Sequence, residues 1–170
     1  MNSLDIERLI LSGGGSRHFL GVKPRDEVRQ VLGQSGVLVF NTDKRNEPGT
    51  HWIGLVLSPS QIEYFDSYGL PPHSFPDVFR ELTSSGRRLV WSNTQLQGLT
   101  STVCGDYCVM FLLLRIRGVS LEDFVSWMDK IPTAERRDHI IRRTVLSCFG
   151  DLYIPDPRLK GIDGVHVTLD

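Results

Sequence analysis

Cys104 is the residue of this sequence whose type and position are best suited to chemistry. It lies in Thr-Val-Cys-Gly, where a polar loop leads into a helix-like stretch whose apolar run, Val109–Ile116, is typical of a helix buried on all sides. A thiol in the first turn of a helix faces the positive end of the helix dipole and free backbone N–H groups, which favour the thiolate form. The same N–H groups can stabilise an oxyanion. The position indicates a nucleophile, and the alternative, a small buried apolar residue, stays open.

A thiolate nucleophile needs a base, and the base needs an orienting carboxylate. His51 opens a predicted strand and is followed by Trp52, whose indole could cover one side of an imidazole. Asp66 ends the next predicted strand. If the runs 51–57 and 62–65 pair as a hairpin, the start of one lies beside the end of the other, and His51 and Asp66 become neighbours. Taken singly, His51 could be a strand-edge histidine and Asp66 a turn-forming aspartate.

Gln97 is the candidate for an additional oxyanion donor. It lies seven residues before Cys104, in Leu-Gln-Gly. A side-chain amide held near the nucleophile lowers the barrier by on the order of 3 kcal/mol. Gln95 is the competing candidate, and an exposed loop glutamine is the alternative for both.

The sequence predicts no metal site and no phosphate-binding glycine loop. Cys104 and Cys108 form a pair without a second pair, and Gly13–Gly15 precede no P-loop lysine. We interpret Cys108 and Cys148 as buried apolar residues within helices. The odd count of three cysteines argues against a disulfide framework and favours a reducing compartment.

The elements that must position these residues occur in the order helices, strands, helices. Predicted helices cover 3–11, a short stretch after Pro24, 77–82, 109–116, 120–128 and 133–149. Predicted strands cover 37–40, 51–57, 62–65 and 88–91. This order favours an α+β fold over a doubly wound parallel sheet. Ser3 and Ser120 are the predicted caps of the helices at 3–11 and 120–128.

Length and composition are those of one compact domain. The 170 residues are 40% hydrophobic and 23% charged, enough for a core without metal or disulfide bonds. The formal net charge of -1 excludes a general polycation that coats nucleic acid. The longest apolar run, Tyr107–Leu114, is too short for a membrane span, and the N-terminal residues do not resemble a secretory signal. We expect a soluble, intracellular, monomeric, single-domain protein.

Several short motifs occur together in one order along the chain. They are His51-Trp52, the Tyr-Phe-Asp-Ser-Tyr-Gly stretch at 64–69, Gln97 and Cys104-Gly105. In this order the sequence resembles the adenain family of adenovirus maturation proteases, within the wider clan that contains the ubiquitin-like-protein proteases. The adenain branch is favoured by Asn41-Thr42, Phe19-Leu20-Gly21, the step from Gln97 to Cys104 and the Cys-Gly-x-x-Cys at 104–108. The stretch 64–72 looks most like proteases of adenovirus-like viruses and of large self-synthesising DNA transposons.

The resemblance covers residues 4 to about 150 and implies a cysteine endopeptidase domain at 1–150, with a central mixed β-sheet flanked by helices. It implies that Cys104 is the nucleophile and His51 its base. It further implies that Asp66 orients His51 and that Gln97 is an oxyanion donor. Asp66 stands where adenain tends to have a glutamate. The implied substrates are viral capsid and core precursor proteins, cleaved after small residues or glycine pairs, in the virion or in the host nucleus or cytoplasm.

Adenain is stimulated by DNA and by a short capsid-derived peptide that joins through a disulfide. The resemblance therefore allows a peptide or DNA activator, although the chemistry itself requires no cofactor. The net charge of -1 argues against activation by DNA. The three cysteines all lie in predicted helices, which leaves no clear free cysteine for a disulfide with a peptide. A basic group on the last helix could bind a polyanion, but a solvated helix face is the simpler interpretation of Arg136, Arg137, Arg142 and Arg143.

The tail at 151–170 lies outside the resemblance. Its residues 165–169 alternate like a strand and are a candidate for an added strand at the sheet edge.

Two other functions stay open. A protease that removes ubiquitin or its relatives from host proteins would also act on chains that end in Gly-Gly. An inactive protease fold could serve as a binding module or a capsid-associated module. The intact set of His, Asp, Gln and Cys favours an enzyme.

Overall fold

The computed structural model describes residues 1–149, and its elements follow the predicted order. The helices are α1 (Ser3–Ile10), α2 (Pro76–Ser84), α3 (Cys104–Ile116), α4 (Leu121–Asp129) and α5 (Ala134–Phe149). The strands are β1 (Phe19–Pro24), β2 (Gly36–Asn41), β3 (Trp52–Leu57), β4 (Gln61–Phe65) and β5 (Arg88–Trp91). The predicted tail at 151–170, with its candidate strand at 165–169, lies outside the described residues.

The five strands form one mixed sheet in the order β1-β2-β3-β4-β5. The middle strand, β3, pairs antiparallel with β2 and β4, whereas the outer pairs β1–β2 and β4–β5 are parallel. In the β3–β4 hairpin, Gly54 stands opposite Phe65 and Leu57 opposite Ile62. The α+β class with a central mixed sheet and flanking helices is therefore confirmed, and so is the predicted hairpin.

Each face of the sheet has its own apolar core, because side chains of a strand alternate between the two faces. On one face, residues such as Val37, Val39 and Phe65 pack with the buried side chains of α1, α3, α4 and α5. On the other face, Leu38, Phe40 and the inward residues of β3 and β4 pack with α2 and the segment before β2. The helix α3 is buried over most of its length, as its apolar sequence predicts. Within residues 1–149, no helix is both long enough and apolar enough to cross a membrane.

The structure differs from the predicted elements near the N-terminus. The strand β1 was not predicted, because its half-buried residues show no clear alternation and it ends in proline, which an edge strand tolerates. The segment after it, Arg25–Val31, is a 3-10 helix rather than an α-helix. Asn2, not Ser3, caps α1: its side chain accepts from the Asp5 N–H, and the Asp5 carboxylate accepts from the Asn2 N–H.

Candidate active site

The imidazole of His51 and the carboxylate of Asp66 meet at the open end of the β3–β4 hairpin. His51 directly precedes β3 and Asp66 directly follows β4, so antiparallel pairing brings the two residues together. Nε2 of His51 lies 3.1 Å from Oδ1 of Asp66, and the two residues are only 8% and 2% exposed. The same Oδ1 accepts a hydrogen bond from the backbone N–H of Tyr68 at 2.7 Å. The carboxylate is therefore held by the turn that follows β4 and points at the imidazole.

Cys104 is the first residue of α3, at the end of the loop that follows β5. The residue before it, Val103, provides no side-chain cap, and the first N–H groups of a helix have no partner within the helix. These N–H groups and the Cys104 sulfur lie at the same helix end. Cys104 is 7% exposed and close enough to His51 to influence its protonation. The structure thus brings the predicted thiol, imidazole and carboxylate into one cluster.

Opposing influences act on the pKa of His51. Burial is the largest single influence and lowers this pKa, whereas the hydrogen bond with Asp66 and the proximity of the Cys104 thiol raise it. The combined result is a pKa of about 9 instead of 6.5. Nδ1 of His51 is buried and has no hydrogen-bond partner in the described part of the chain. Because Asp66 occupies Nε2, Nδ1 is the nitrogen left for proton exchange with Cys104.

The aromatic ring that contacts His51 in the described residues belongs to Tyr68, not to Trp52. The ring centroids of His51 and Tyr68 are 4.8 Å apart, with a tilt of 37°. Trp52 instead donates from Nε1 to the carbonyl of Met1 at 3.3 Å. Continuing the hairpin register beyond Phe65 places His51 opposite Tyr68. Neighbouring residues of a strand point to opposite faces, so the side chain of Trp52, which follows His51, points away from the imidazole. The prediction that Trp52 covers the imidazole is therefore wrong, and Tyr68 is the neighbouring ring.

Gln97 is fully buried in the loop between β5 and α3, and both ends of its carboxamide have partners. Oε1 accepts from the hydroxyl of Ser67 at 2.7 Å. Nε2 donates to the carbonyl of Ser101 at 2.8 Å and to the hydroxyl of Tyr68 at 3.2 Å. Since a carbonyl can only accept, Ser101 fixes which end of the amide carries the protons. Gln97 is therefore connected to the His51 cluster through Tyr68, with both N–H protons directed at protein oxygens.

The competing candidate, Gln95, serves the loop itself. Its Nε2 donates to the backbone carbonyl of Gln97 at 3.0 Å. This contact supports the main chain next to Gln97.

Arg137 in α5 holds the loop that carries Gln97, a role that was not predicted from the sequence. It is buried and donates to the carbonyls of Leu96 at 2.8 Å, Ile131 at 2.7 Å and Gln95 at 3.4 Å. The prediction of a solvated face is therefore wrong for Arg137. The signal that could have found it is its spacing of four and eight residues from the buried Ile141 and Val145, which the exposed Arg136 does not share.

Two carboxylates near α5 extend this support. Asp138 accepts from the Gly98 N–H and from the Tyr107 hydroxyl, each at 3.0 Å. Asp106, two residues after Cys104, is fully buried and forms an ion pair with Arg142 at 3.1 Å. Burial raises the pKa of Asp106, and Arg142 opposes that shift. Together these contacts connect α5 with the loop and with the start of α3.

The other two cysteines differ from each other. Cys108 is buried, and burial raises the pKa of its thiol well above the usual value. Cys148 is exposed, so its prediction as a buried residue is wrong. Within residues 1–149, no three His, Cys, Asp or Glu side chains are grouped in a way that could hold a metal ion.

Proteins with similar sequences include adenovirus proteases. The protease of Bovine adenovirus 2 is 30% identical over an alignment of 105 residues, and the match covers 54% of this chain and 47% of that protein. The protease of Bovine adenovirus B serotype 3 is 29% identical over an alignment of 140 residues, and the match covers 71% of this chain and 61% of that protein. The chain is adenain-like. It spans less than two thirds of the length of these relatives, and no family model matches it.

The adenain-like chain also shares its fold with a solved protease. The crystal structure of the selenomethionine form of the ASFV pS273R protease matches it with a TM-score of 0.54. The match covers 83% of this chain and 64% of that one, at 17% sequence identity. At this identity the similarity shows the shared fold and leaves the activity of the present chain to its own residues.

Proposed function

We propose that this adenain-like protein is a cysteine endopeptidase that processes viral precursor proteins. The observation that supports this most is the Asp66–His51 hydrogen bond next to a cysteine at the start of a buried helix. The similarity to adenovirus proteases supports the same reaction class.

In the proposed reaction, the proton of Cys104 already lies on Nδ1 of His51, as the raised pKa of His51 favours, and the thiolate sulfur attacks the scissile carbonyl carbon. Asp66 accepts from the Nε2–H group, and so stabilises the imidazolium and fixes the orientation of its ring. The carbonyl electron pair moves onto oxygen, where the first N–H groups of α3 receive it. When the C–N bond breaks, the imidazolium protonates the leaving amine and a thioester remains. Water then gives a proton to His51, attacks the thioester and releases the acid and the thiol.

Gln97 is proposed as the additional donor to the oxyanion. One of its N–H protons is directed at the hydroxyl of Tyr68 and the other at a backbone carbonyl. An oxyanion is a stronger acceptor than a neutral hydroxyl. The developing charge can therefore attract the proton that Tyr68 accepts in the substrate-free protein.

Two depressions, neither of them lined by His51, Asp66, Gln97 or Cys104, are lined by residues that neighbour the site in sequence, and we propose that a substrate chain uses this space. One has a volume of about 600 Å³ and includes Trp52, next to His51, and residues of the loop after β2. The other has a volume of about 550 Å³ and includes Ser101 and Gly98 of the loop before α3.

We propose that small residues, glycine pairs foremost, precede the cleaved bond in capsid or core precursors. The proposed place of action is the virion or the host nucleus or cytoplasm.

A peptide with Gly-Gly before the scissile bond tests this function. We expect turnover by the wild-type protein and none by Cys104→Ala. The matched control is Cys148→Ser, which removes the exposed cysteine and should retain full activity. A folded wild-type protein that cleaves neither such peptides nor capsid precursors would contradict the proposal.

Adding capsid peptides or DNA to the same assay tests for an activator. Sedimentation tests the proposed monomer.

A ubiquitin-type C-terminal electrophilic probe separates this function from its nearest rival. Rapid labelling of Cys104 by the probe, without cleavage of the Gly-Gly peptide, would favour a protease acting on host conjugates. A folded protein that shows neither labelling nor cleavage would favour a binding module.

A further inference from the structure

We propose that Tyr68 is a positioning residue that holds His51 and Gln97 in one fixed arrangement. This inference rests on the proposed protease function and adds to it a residue that does not itself contact the reacting atoms. Three separate contacts of Tyr68 support it: its ring, its hydroxyl and its backbone N–H.

The ring and the backbone N–H of Tyr68 act on the base and its carboxylate. The ring covers one face of the His51 imidazole at a centroid distance of 4.8 Å. The backbone N–H donates to Oδ1 of Asp66 at 2.7 Å, the same oxygen that lies 3.1 Å from Nε2 of His51. The imidazole is thus restrained at its edge by the carboxylate and at its face by the phenol ring.

The hydroxyl of Tyr68 acts on Gln97. It accepts from Nε2 of Gln97 at 3.2 Å and donates to the carbonyl of Ser101 at 3.0 Å. The carboxamide of Gln97 is fully buried, so removal of the hydroxyl leaves one of its N–H protons without this acceptor. The hydroxyl therefore fixes the torsion that aims the Gln97 N–H groups, and it fastens the loop just before Cys104.

Tyr68 can position both groups because its own backbone is fixed. The turn that contains it is fastened to the Gln97 loop by two backbone hydrogen bonds, in which the Ser67 carbonyl accepts from Leu96 and Gln97 at 2.9 Å. Gly69 closes the turn with φ +72°, and a Cβ atom there would lie 2.7 Å from the carbonyl oxygen of Asn93. The turn and the loop therefore approach each other backbone to backbone.

The variant Tyr68→Phe keeps the ring and removes the hydroxyl. We expect kcat for the Gly-Gly peptide to fall by about tenfold while KM stays within about twofold, because the oxyanion donor is disordered and substrate binding is not. The matched control is Tyr64→Phe, which removes a buried hydroxyl that has no hydrogen-bond partner among the described residues. Its kcat and KM should equal those of the wild type. A Tyr68→Phe enzyme with wild-type kcat would overturn the proposal.

A double-mutant cycle with Gln97→Ala separates positioning from general packing. We expect Gln97→Ala alone to lower kcat by about 100-fold, and the further change Tyr68→Phe to lower it by no more than about twofold. Packing alone would let the two losses multiply. A further tenfold loss in the Gln97→Ala background would therefore show that the hydroxyl does not act through Gln97, and would overturn the assignment.

The ring is tested by alkylation of Cys104, which needs no peptide turnover. The rate constant of alkylation by iodoacetamide at about pH 6 is measured by mass spectrometry of the peptide that contains Cys104. We expect this rate constant to be within about twofold of the wild-type value for Tyr68→Phe and at least about fivefold lower for Tyr68→Leu. Melting temperatures identify any variant that fails to fold. Equal rates in all three proteins would overturn the role of the ring. A folded wild type that cleaves no peptide would contradict the proposed protease function, and the alkylation rates would still decide whether Tyr68 positions His51.

Discussion

The two halves of the candidate site are built in different ways. His51 and Asp66 stand at the ends of neighbouring strands, fifteen residues apart, and the β3–β4 backbone ladder sets their separation. Gln97 and Cys104 depend on the loop at 92–103, which is held by side chains from α5, such as Arg137, 41 residues beyond Leu96. The first half, His51 and Asp66, is the sheet half and is determined by local pairing. The second half, Gln97 and Cys104, is the loop half and is determined by contacts that are distant in sequence. Changes in α5 should therefore damage the site without touching the thiol or the imidazole.

The largest effect is expected in the sheet half, from Asp66→Asn. This change keeps the shape of the side chain but removes the charge that holds the imidazole, so kcat should fall by about 10³-fold. The measurement is peptide turnover by the folded variant. The control is Asp77→Asn, whose partly exposed carboxylate pairs with Arg25 and lies in α2. A loss of less than about tenfold for Asp66→Asn would contradict the role of this carboxylate.

The loop half is tested by Arg137→Ala against its exposed neighbour, Arg136→Ala. Removing Arg137 leaves the carbonyls of Leu96 and Ile131 without their buried donor, which should lower the free energy of unfolding by about 3 kcal/mol and also reduce kcat. Arg136→Ala should change the stability by no more than about 0.5 kcal/mol. Urea unfolding and turnover measure the two quantities. Equal effects of the two substitutions would show that the loop is not held from α5.

The pH dependence of stability gives a sharper test of the sheet half. Because the folded protein binds the His51 proton more tightly than the unfolded chain, this proton stabilises the fold fully below pH 6.5, and the contribution is lost as the pH rises through about 9. Its upper limit is about 3 kcal/mol. The difference in unfolding free energy between wild type and His51→Gln should therefore shrink from neutral pH towards pH 9. A difference that is constant over this range would contradict the raised pKa.

The smallest effect concerns the junction of the two halves, and it compares Gly69→Ala with Gly86→Ala. Both glycines have positive φ, +72° and +71°, so each substitution carries a similar backbone strain. A Cβ at Gly69 would meet the backbone of Asn93 at 2.7 Å, whereas nothing lies within 4 Å of one at Gly86. We expect Gly69→Ala to be less stable than Gly86→Ala by about 1–2 kcal/mol in urea unfolding. Equal losses would show that the turn and the loop do not approach closely.

The sheet half could be predicted from sequence because its geometry follows from short-range patterns. Two strand-like runs with a short turn between them define the hairpin, and the hairpin brings His51 beside Asp66. The predicted strand at 88–91 coincides with β5, and the apolar run that follows Cys104 placed the thiol at the start of a helix.

The support of the loop half, unlike its members Gln97 and Cys104, was not predicted, because periodicity shows which face of a helix is buried but not which distant loop a side chain on that face contacts. Arg137 was not distinguished from the other arginines of α5, and Cys148 was placed inside although it is exposed. The contact of Tyr68 with His51 depends on the register beyond the end of β4, where strand patterns no longer apply. Neighbouring residues can thus predict that a site exists, while its support depends on tertiary packing.

The position of β3 in the sheet protects the imidazole. His51 precedes the central strand, which is hydrogen-bonded along both sides, to β2 and to β4. Fraying, or capture of a foreign strand, begins at the periphery of a sheet, here at β1 or β5. β2 lies between β1 and β3, and β4 lies between β5 and β3, so a peripheral strand can fray without breaking the hydrogen bonds of the strand next to His51.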